Sequence, residues 1–230
     1  IGDRRQRQMC IRDRFYVAYK DYNWMMGFIE KMFEQVANNV CGKTQIIYNE
    51  NKIEFKGPYK KLPFFEAIKN ETGDDISKMT EDELVKYCKT KNIETNETMG
   101  RGKLFDAVFG EFCETKLIQP TYITDYPIEM SPLTKKHRSK DGLTERFELF
   151  INGKEIANAY SEQNNPIEQR KSFEEQMKLG KKGDDEAMII DNQFLNALEY
   201  GMPPTSGIGI GMDRLTMLLT NKTSIQDVLF

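Results

Sequence analysis

Residues 147–162 read FELFINGKEIANAYSE. Asn152-Gly153 stands between two apolar runs, and both residue types tolerate the positive φ of a two-residue type I′ turn, so the stretch predicts a β-hairpin. Such a loop would pair Ile151 with Lys154, Phe150 with Glu155, Leu149 with Ile156 and Glu148 with Ala157. Side chains alternate between faces along a strand, which puts Glu148 and Glu155 on one face, diagonal neighbours roughly 7–8 Å apart. Carboxylates are costly inside runs that read as buried strands unless a cation answers them. Oxygen ligands in small number suit Mg²⁺ shared with a phosphate-bearing substrate. A one-sided sheet with both glutamates in water is the plainer alternative. Continued alternation sends Asn158, Tyr160 and Glu162 to the opposite face. For all these polar groups to serve one pocket, the strand must break register between Glu155 and Asn158, where Ala157 and Ala159 leave room for a β-bulge.

The second informative stretch is GIGIGMDR, residues 207–214. Met212 stands where a third dinucleotide-loop glycine would fall, and no Gly-Lys-Ser/Thr follows, so this is neither a Rossmann loop nor a P-loop. Alternate glycines (Gly207, Gly209, Gly211) instead leave one face of a strand bare, letting a flat ligand approach the backbone. Arg214 falls in the first turn of the next helix, where the helix dipole and a guanidinium together suit a phosphate. A simple Asp213–Arg214 pairing at a helix start is the other reading.

Around these two stretches the pattern is one of strands, helices and strands again. FYVAYKDY from Phe15 alternates as a strand does. Met25, Phe28, Ile29, Met32, Phe33 and Val36 then recur at helical steps, with Gly42 as a stop. TQIIYNENKIEFKG reads as a hairpin. Residues 63–118 form a helical section, in which Thr80 and Glu83 have capping-box spacing. TYITDYP, RFELFI and KEIANAY are strands. Two helical patterns come next, interrupted by Gly183 and ended by Gly201 and Pro203. Without a regular βαβ alternation, this predicts an α+β fold with a mostly antiparallel sheet, flanked by helices and carrying a helical insertion.

Composition narrows the function classes. With 230 residues, 39% of them hydrophobic, the chain can bury one full-sized core. A net charge of −3 argues against wrapping nucleic acid by bulk electrostatics. No stretch approaches the roughly 20 apolar residues of a membrane span, and no export signal is visible, so a cytoplasmic location is expected. The four cysteines are widely spaced, which favours free thiols over disulfides or a zinc site. The opening IGDRRQRQMCIRDR differs from the remainder of the chain: five Arg against two Asp give it +3 and leave −6 on residues 15–230. A basic nucleic-acid arm is one reading of residues 1–14; a foreign extension is the other.

RFELFINGKEIANAYSE, GDDEAM, EYGMPPTSGIGIGMDR and EMSPLTKKHR together resemble the catalytic domain of the class II lysyl-tRNA synthetases, in their bacterial form. FYVAYKDYNWMM is similar to the end of that family's second signature motif, and GIGIGMDRL to its third. The resemblance runs from Phe15 to Phe230 and implies the class II synthetase catalytic fold. It also implies activation of L-lysine by ATP to lysyl-adenylate, transfer of the lysyl group to tRNA(Lys), and a homodimer. On it, Glu148 and Glu155 would hold Mg²⁺ on the ATP phosphates. Arg214 would grip the γ-phosphate as the catalytic cation, and Gly209 and Gly211 would let lysine and ATP lie against the strand. Glu162 and Tyr16 would receive the lysine ε-ammonium, with Asn158 lining that pocket. Such a mechanism needs no protein nucleophile, and the lone histidine, His137, reads as part of a surface turn.

The pattern departs from the family at the start. The arginine and glutamate that open the second motif have no counterpart in IGDRRQRQMCIRDR, and Arg14 stands where the family has a glutamate. The first motif and an anticodon-binding OB domain are not in the sequence. The expectation is a partial catalytic domain over 15–230, joined to a foreign segment and inactive alone in adenylate formation; lysine-dependent pyrophosphate exchange by the purified chain would overturn it. The synthetase paralogue that lysylates elongation factor P shares the hairpin and third motif and is the nearest alternative. A non-catalytic binding protein on the same fold is the alternative from another class.

Overall fold

The computed structural model describes residues 12–183 and 187–229. Residues 1–11, with Cys10, and the centre of GDDEAM lie outside the described residues, and with them most of the segment read as a foreign extension.

The core of the fold is a six-stranded sheet in the order β1-β8-β7-β6-β5-β4. Its members are β1 (Arg12–Ala18), β4 (Lys60–Pro63), β5 (Thr121–Thr124), β6 (Arg146–Ile151), β7 (Lys154–Ser161) and β8 (Thr205–Gly211). Every neighbouring pair is antiparallel except β4 and β5. A separate hairpin, β2 (Gln45–Tyr48) with β3 (Asn51–Glu54), stands where TQIIYNENKIEFKG predicts one. The expected α+β architecture with a mostly antiparallel sheet is what the chain adopts.

One face of the sheet is covered by α1 (Tyr22–Cys41) and α7 (Met212–Thr220). Asp21 caps α1, accepting from the Trp24 amide at 3.0 Å, and Gly42 ends it with φ 72°. Its buried stripe is Tyr22, Met25, Met26, Ile29, Phe33 and Ala37. That stripe is rotated slightly from the expected one: Phe28 faces outward and stacks on Trp24 at 5.2 Å. Phe147, Leu149, Ile151, Ala157, Ala159, Ile208 and Ile210 meet α1 from the sheet.

The other face is covered over part of its width. Over β4, β5 and β6 lies the helical insertion: α2 (Phe64–Thr72), α3 (Glu81–Thr90) and α4 (Arg101–Phe112). Its aromatic core joins Phe64, Phe105 and Phe109 to Tyr126 and Phe150. The Thr80–Glu83 capping box forms. The insertion also serves as the crossover between the parallel strands β4 and β5. Four residues with one buried leucine, KKLP, carry too little periodicity to reveal β4 in the sequence. Farther along, α5 (Pro166–Lys181) and α6 (Asn192–Tyr200) pack through Phe173 and Phe194. Cys41, Cys88 and Cys113 are free thiols, as expected. No described helix is long and apolar enough to cross a membrane.

Candidate active site

The part of that second face left open by the insertion is the candidate site. The hairpin turn forms as predicted, with Asn152 at φ 50° and Gly153 at φ 68°. Ile151 pairs with Lys154 and Phe150 with Glu155, but then the register shifts: Leu149 meets Ala157 and Glu148 meets Asn158. The pairings Leu149–Ile156 and Glu148–Ala157 are therefore corrected by one residue. Ile156 is the extra residue of a β-bulge, in the interval where a pocket fed by all the polar groups requires one. Ile156 and Ala157 are both buried as a result, and Glu155, Asn158, Tyr160 and Glu162 share the face of Arg146 and Glu148.

Two rows of side chains cross the sheet there. In one, Arg14, Gly209, Asn158 and Glu148 are in register; in the next, Tyr16, Gly207, Tyr160 and Arg146. At the centre of each row a glycine leaves room that a side chain of its own would take. A Cβ on Gly207 would lie 2.1 Å from Glu162 Oε1 and 2.7 Å from the Tyr16 ring, so only glycine lets those two groups meet over β8. Above Gly209 a Cβ would find only Arg14 Cγ, at 3.9 Å. That space is free for a ligand.

Glu162 is the electrostatic centre of the bare face. Burial pushes its carboxyl up to about 8 from an ordinary 4.5, and among the described residues no neighbouring cation pulls it back. Tyr160 is pushed up to about 12, first by burial and then by Glu162 and Tyr16. Such a carboxylate ionises readily only when a positive group enters beside it.

Glu148 and Glu155 find their counter-charges within the protein. Glu148 Oε1 accepts from Arg146 Nη2 at 2.5 Å and from Asn158 Nδ2 at 3.1 Å, and Oε2 accepts from the Tyr126 hydroxyl at 2.7 Å. Arg214, in the first turn of α7 behind the N-cap Gly211, donates to the Glu155 carbonyl at 2.6 Å and lies 3.7 Å from its carboxylate. Half-buried Glu114 adds negative charge nearby: its carboxyl is pushed up by burial, then by Asp106 and Glu148. Among the described residues no group of three or more acids, histidines or cysteines could hold a metal alone. Two carboxylates on one face are nevertheless a suitable donor set for Mg²⁺, which keeps most of its ligands as water and phosphate oxygens.

The structure thus brings Glu148, Glu155, Asn158, Glu162, Tyr16, Gly209, Gly211 and Arg214 to one surface. Arg146 and Tyr126 belong to it as well. Arg146 was detectable, since it sits two residues before Glu148 on the same strand face; Tyr126 lies past the end of β5, which stops at Thr124 inside the TYITDYP run expected as a strand, and nothing local marks it as part of the site. His137 is not at the surface. Its side chain is 9% exposed, with Nε2 3.3 Å from the Tyr22 hydroxyl and 3.7 Å from Asp125. The surface turn expected for KKHR holds for Lys136 and Arg138, not for the histidine.

Known proteins are similar to this sequence. The family described as tRNA synthetases class II (D, K and N) matches residues 5–230. A lysine--tRNA ligase of Porphyromonas gingivalis is 64% identical over 214 residues, 93% of this chain and 37% of that protein. One of Christiangramia forsetii is 63% identical over 215 residues, 94% of this chain and 38% of its own length. One of Azobacteroides pseudotrichonymphae is 58% identical over 214 residues, 93% of this chain and 43% of its own. The chain therefore spans well under half the length of these curated relatives. The family model spans nearly the whole chain and the fold agrees with it: the chain belongs to the class II tRNA synthetases of the D, K and N group.

Proposed function

We propose that this face of β8 binds L-lysine and Mg·ATP for an enzyme that joins them as lysyl-adenylate and passes the lysyl group to tRNA(Lys), this chain alone being inactive in adenylate formation. In this reading the lysine carboxylate attacks the α-phosphorus, the bond to the bridging oxygen breaks, and pyrophosphate leaves. Glu162 and Tyr16 receive the ε-ammonium, Asn158 lines the pocket, and Gly209 leaves room for the substrate. Arg214 binds the γ-phosphate, and Gly211 lets the nucleotide approach. Glu148 and Glu155 hold Mg²⁺, which when bound neutralises the phosphates. Catalysis then consists of positioning and charge stabilisation, without a protein nucleophile.

The observation that carries this reading is Glu162: its carboxyl lies over Gly207 beside the Tyr16 ring, is pushed up to about 8 by burial, and has no cation among the described residues answering it. A pocket built that way selects an ammonium against a neutral side chain, because an uncharged occupant leaves the acid unpaired. An acidic or amide side chain, as in the D and N substrates of the family, gains nothing from it. The names of the relatives favour tRNA over elongation factor P as acceptor. A homodimer in the cytoplasm belongs to the same proposal.

Calorimetric titration of the chain with L-lysine and with L-norleucine, each with Mg·ATP present, tests the reading. Lysine should bind at least about 100-fold more tightly, as a desolvated charge pair requires. Equal affinities would remove the basis for lysine.

A further inference from the structure

We propose that Arg146 is a positioning residue that orients Asn158 and Glu148 together, so that the amino-acid pocket and the nucleotide hairpin share one clamp. What those two residues bind is taken from the proposed function; the clamp itself is independent of it.

Arg146 lies on β6 with its side chain 14% exposed. Nε donates to Asn158 Oδ1 at 3.2 Å, and Nη2 donates to Glu148 Oε1 at 2.5 Å. Nη1 donates to the Met130 carbonyl at 2.7 Å and is 3.1 Å from Ser131 Oγ. The guanidinium lies over the Tyr126 ring at 4.6 Å, and that ring's hydroxyl binds the other oxygen of Glu148. The plane of Arg146 is thereby fixed from three sides.

The consequence falls on Asn158. With Oδ1 held by the guanidinium, its Nδ2 must point at Glu148 Oε1, 3.1 Å away. A flipped amide would set an NH₂ against the guanidinium and a carbonyl against the carboxylate, losing two hydrogen bonds and adding two repulsions. One planar fork thus selects the rotamers of a residue in the amino-acid pocket and a residue on the nucleotide hairpin. Lysine at this position would supply a point charge without the fork, and could not hold both.

The test combines side-chain amide spectra of the ¹⁵N-labelled chain with a double-mutant cycle. In the ligand-free wild type, the Asn158 amide protons should exchange slowly with solvent. In Arg146→Lys they should shift and exchange faster, while circular dichroism shows the fold retained. Lysine affinity should fall about tenfold, as for hydrogen bonds to a charged group, and Mg·ATP affinity should fall as well. In an Asn158→Ala background, Arg146→Lys should have little further effect on lysine binding. A freely exchanging Asn158 amide in the wild type overturns the clamp, whether or not the variant folds. So do losses that multiply independently in the cycle, as a purely structural role of Arg146 would give. A wild type that shows the protected amide but binds no lysine overturns the proposed function and leaves the clamp standing.

Discussion

Replacing Glu162 by Gln removes the charge that the proposed lysine pocket is built around and keeps its shape. In the folded chain the carboxyl titrates at about 8 against an ordinary 4.5, raised by burial. A shift of that size corresponds to about 5 kcal/mol between the two protonation states. The folded state binds the proton more tightly than the unfolded one. Stability therefore falls as pH rises from 4.5 to 8, is unaffected by this group below that window, and carries the full penalty above it. Glu162→Gln should flatten that slope and melt higher than the wild type at pH 8. Ligand binding runs the other way. An entering ε-ammonium needs the carboxylate, so lysine binding near pH 7 should release close to one proton, and affinity should rise about tenfold per pH unit up to the carboxyl's own titration. The Gln variant should bind lysine more weakly by about 2–5 kcal/mol at pH 8, with no proton release. Calorimetry in two buffers of different ionisation enthalpy counts the proton directly. A wild-type affinity that is flat between pH 6 and 7.5, with no proton exchanged, would refute the reasoning.

The bare face separates two glycines that look alike in the sequence. Gly209→Ala meets only Arg14 Cγ at 3.9 Å and should fold with an unchanged melting temperature, yet weaken lysine and nucleotide binding by filling their space. Gly207→Ala drives a methyl to 2.1 Å from Glu162 Oε1 and should lower both stability and lysine affinity. Arg214→Ala should cost Mg·ATP about 2–4 kcal/mol in a binding titration and leave lysine affinity nearly unchanged, since the guanidinium sits at the Glu155 end of the site. Gly153→Ala forces a side chain into φ 68° and toward Thr115 Cα at 3.3 Å. It should destabilise the fold by about 1–2 kcal/mol in urea unfolding.

Much of this was legible in the sequence because local chemistry and global fold agree there. Asn152-Gly153 fixes a turn, the turn fixes a register, and the polar residues of β7 require the bulge that the structure contains. The alternate glycines and Arg214 were readable for the same reason: each has a local conformational meaning. What stayed hidden depends on contacts distant in the chain. β4 gains its strand character from β5, across the whole insertion. Tyr126 reaches Glu148 from a loop, and the burial of His137 comes from its packing on Tyr22. In the sequence the two hairpin glutamates read as waiting for a cation. A buried carboxylate does need a cation, but Arg146 and Arg214 already stand beside them; among the described residues of the site, Glu162 is the acid left without. No periodicity distinguishes a carboxylate that is answered from one that is waiting.

The most direct measurement is a crystal structure of the chain with L-lysine and a non-hydrolysable Mg·ATP analogue. The ε-ammonium should lie about 2.7–2.9 Å from the Glu162 carboxylate. The triphosphate should run between the hairpin glutamates and Arg214, above Gly209 and Gly211. Lysine bound elsewhere, or its ammonium turned to solvent while Glu162 remains protonated and alone, would contradict the assignment of this surface.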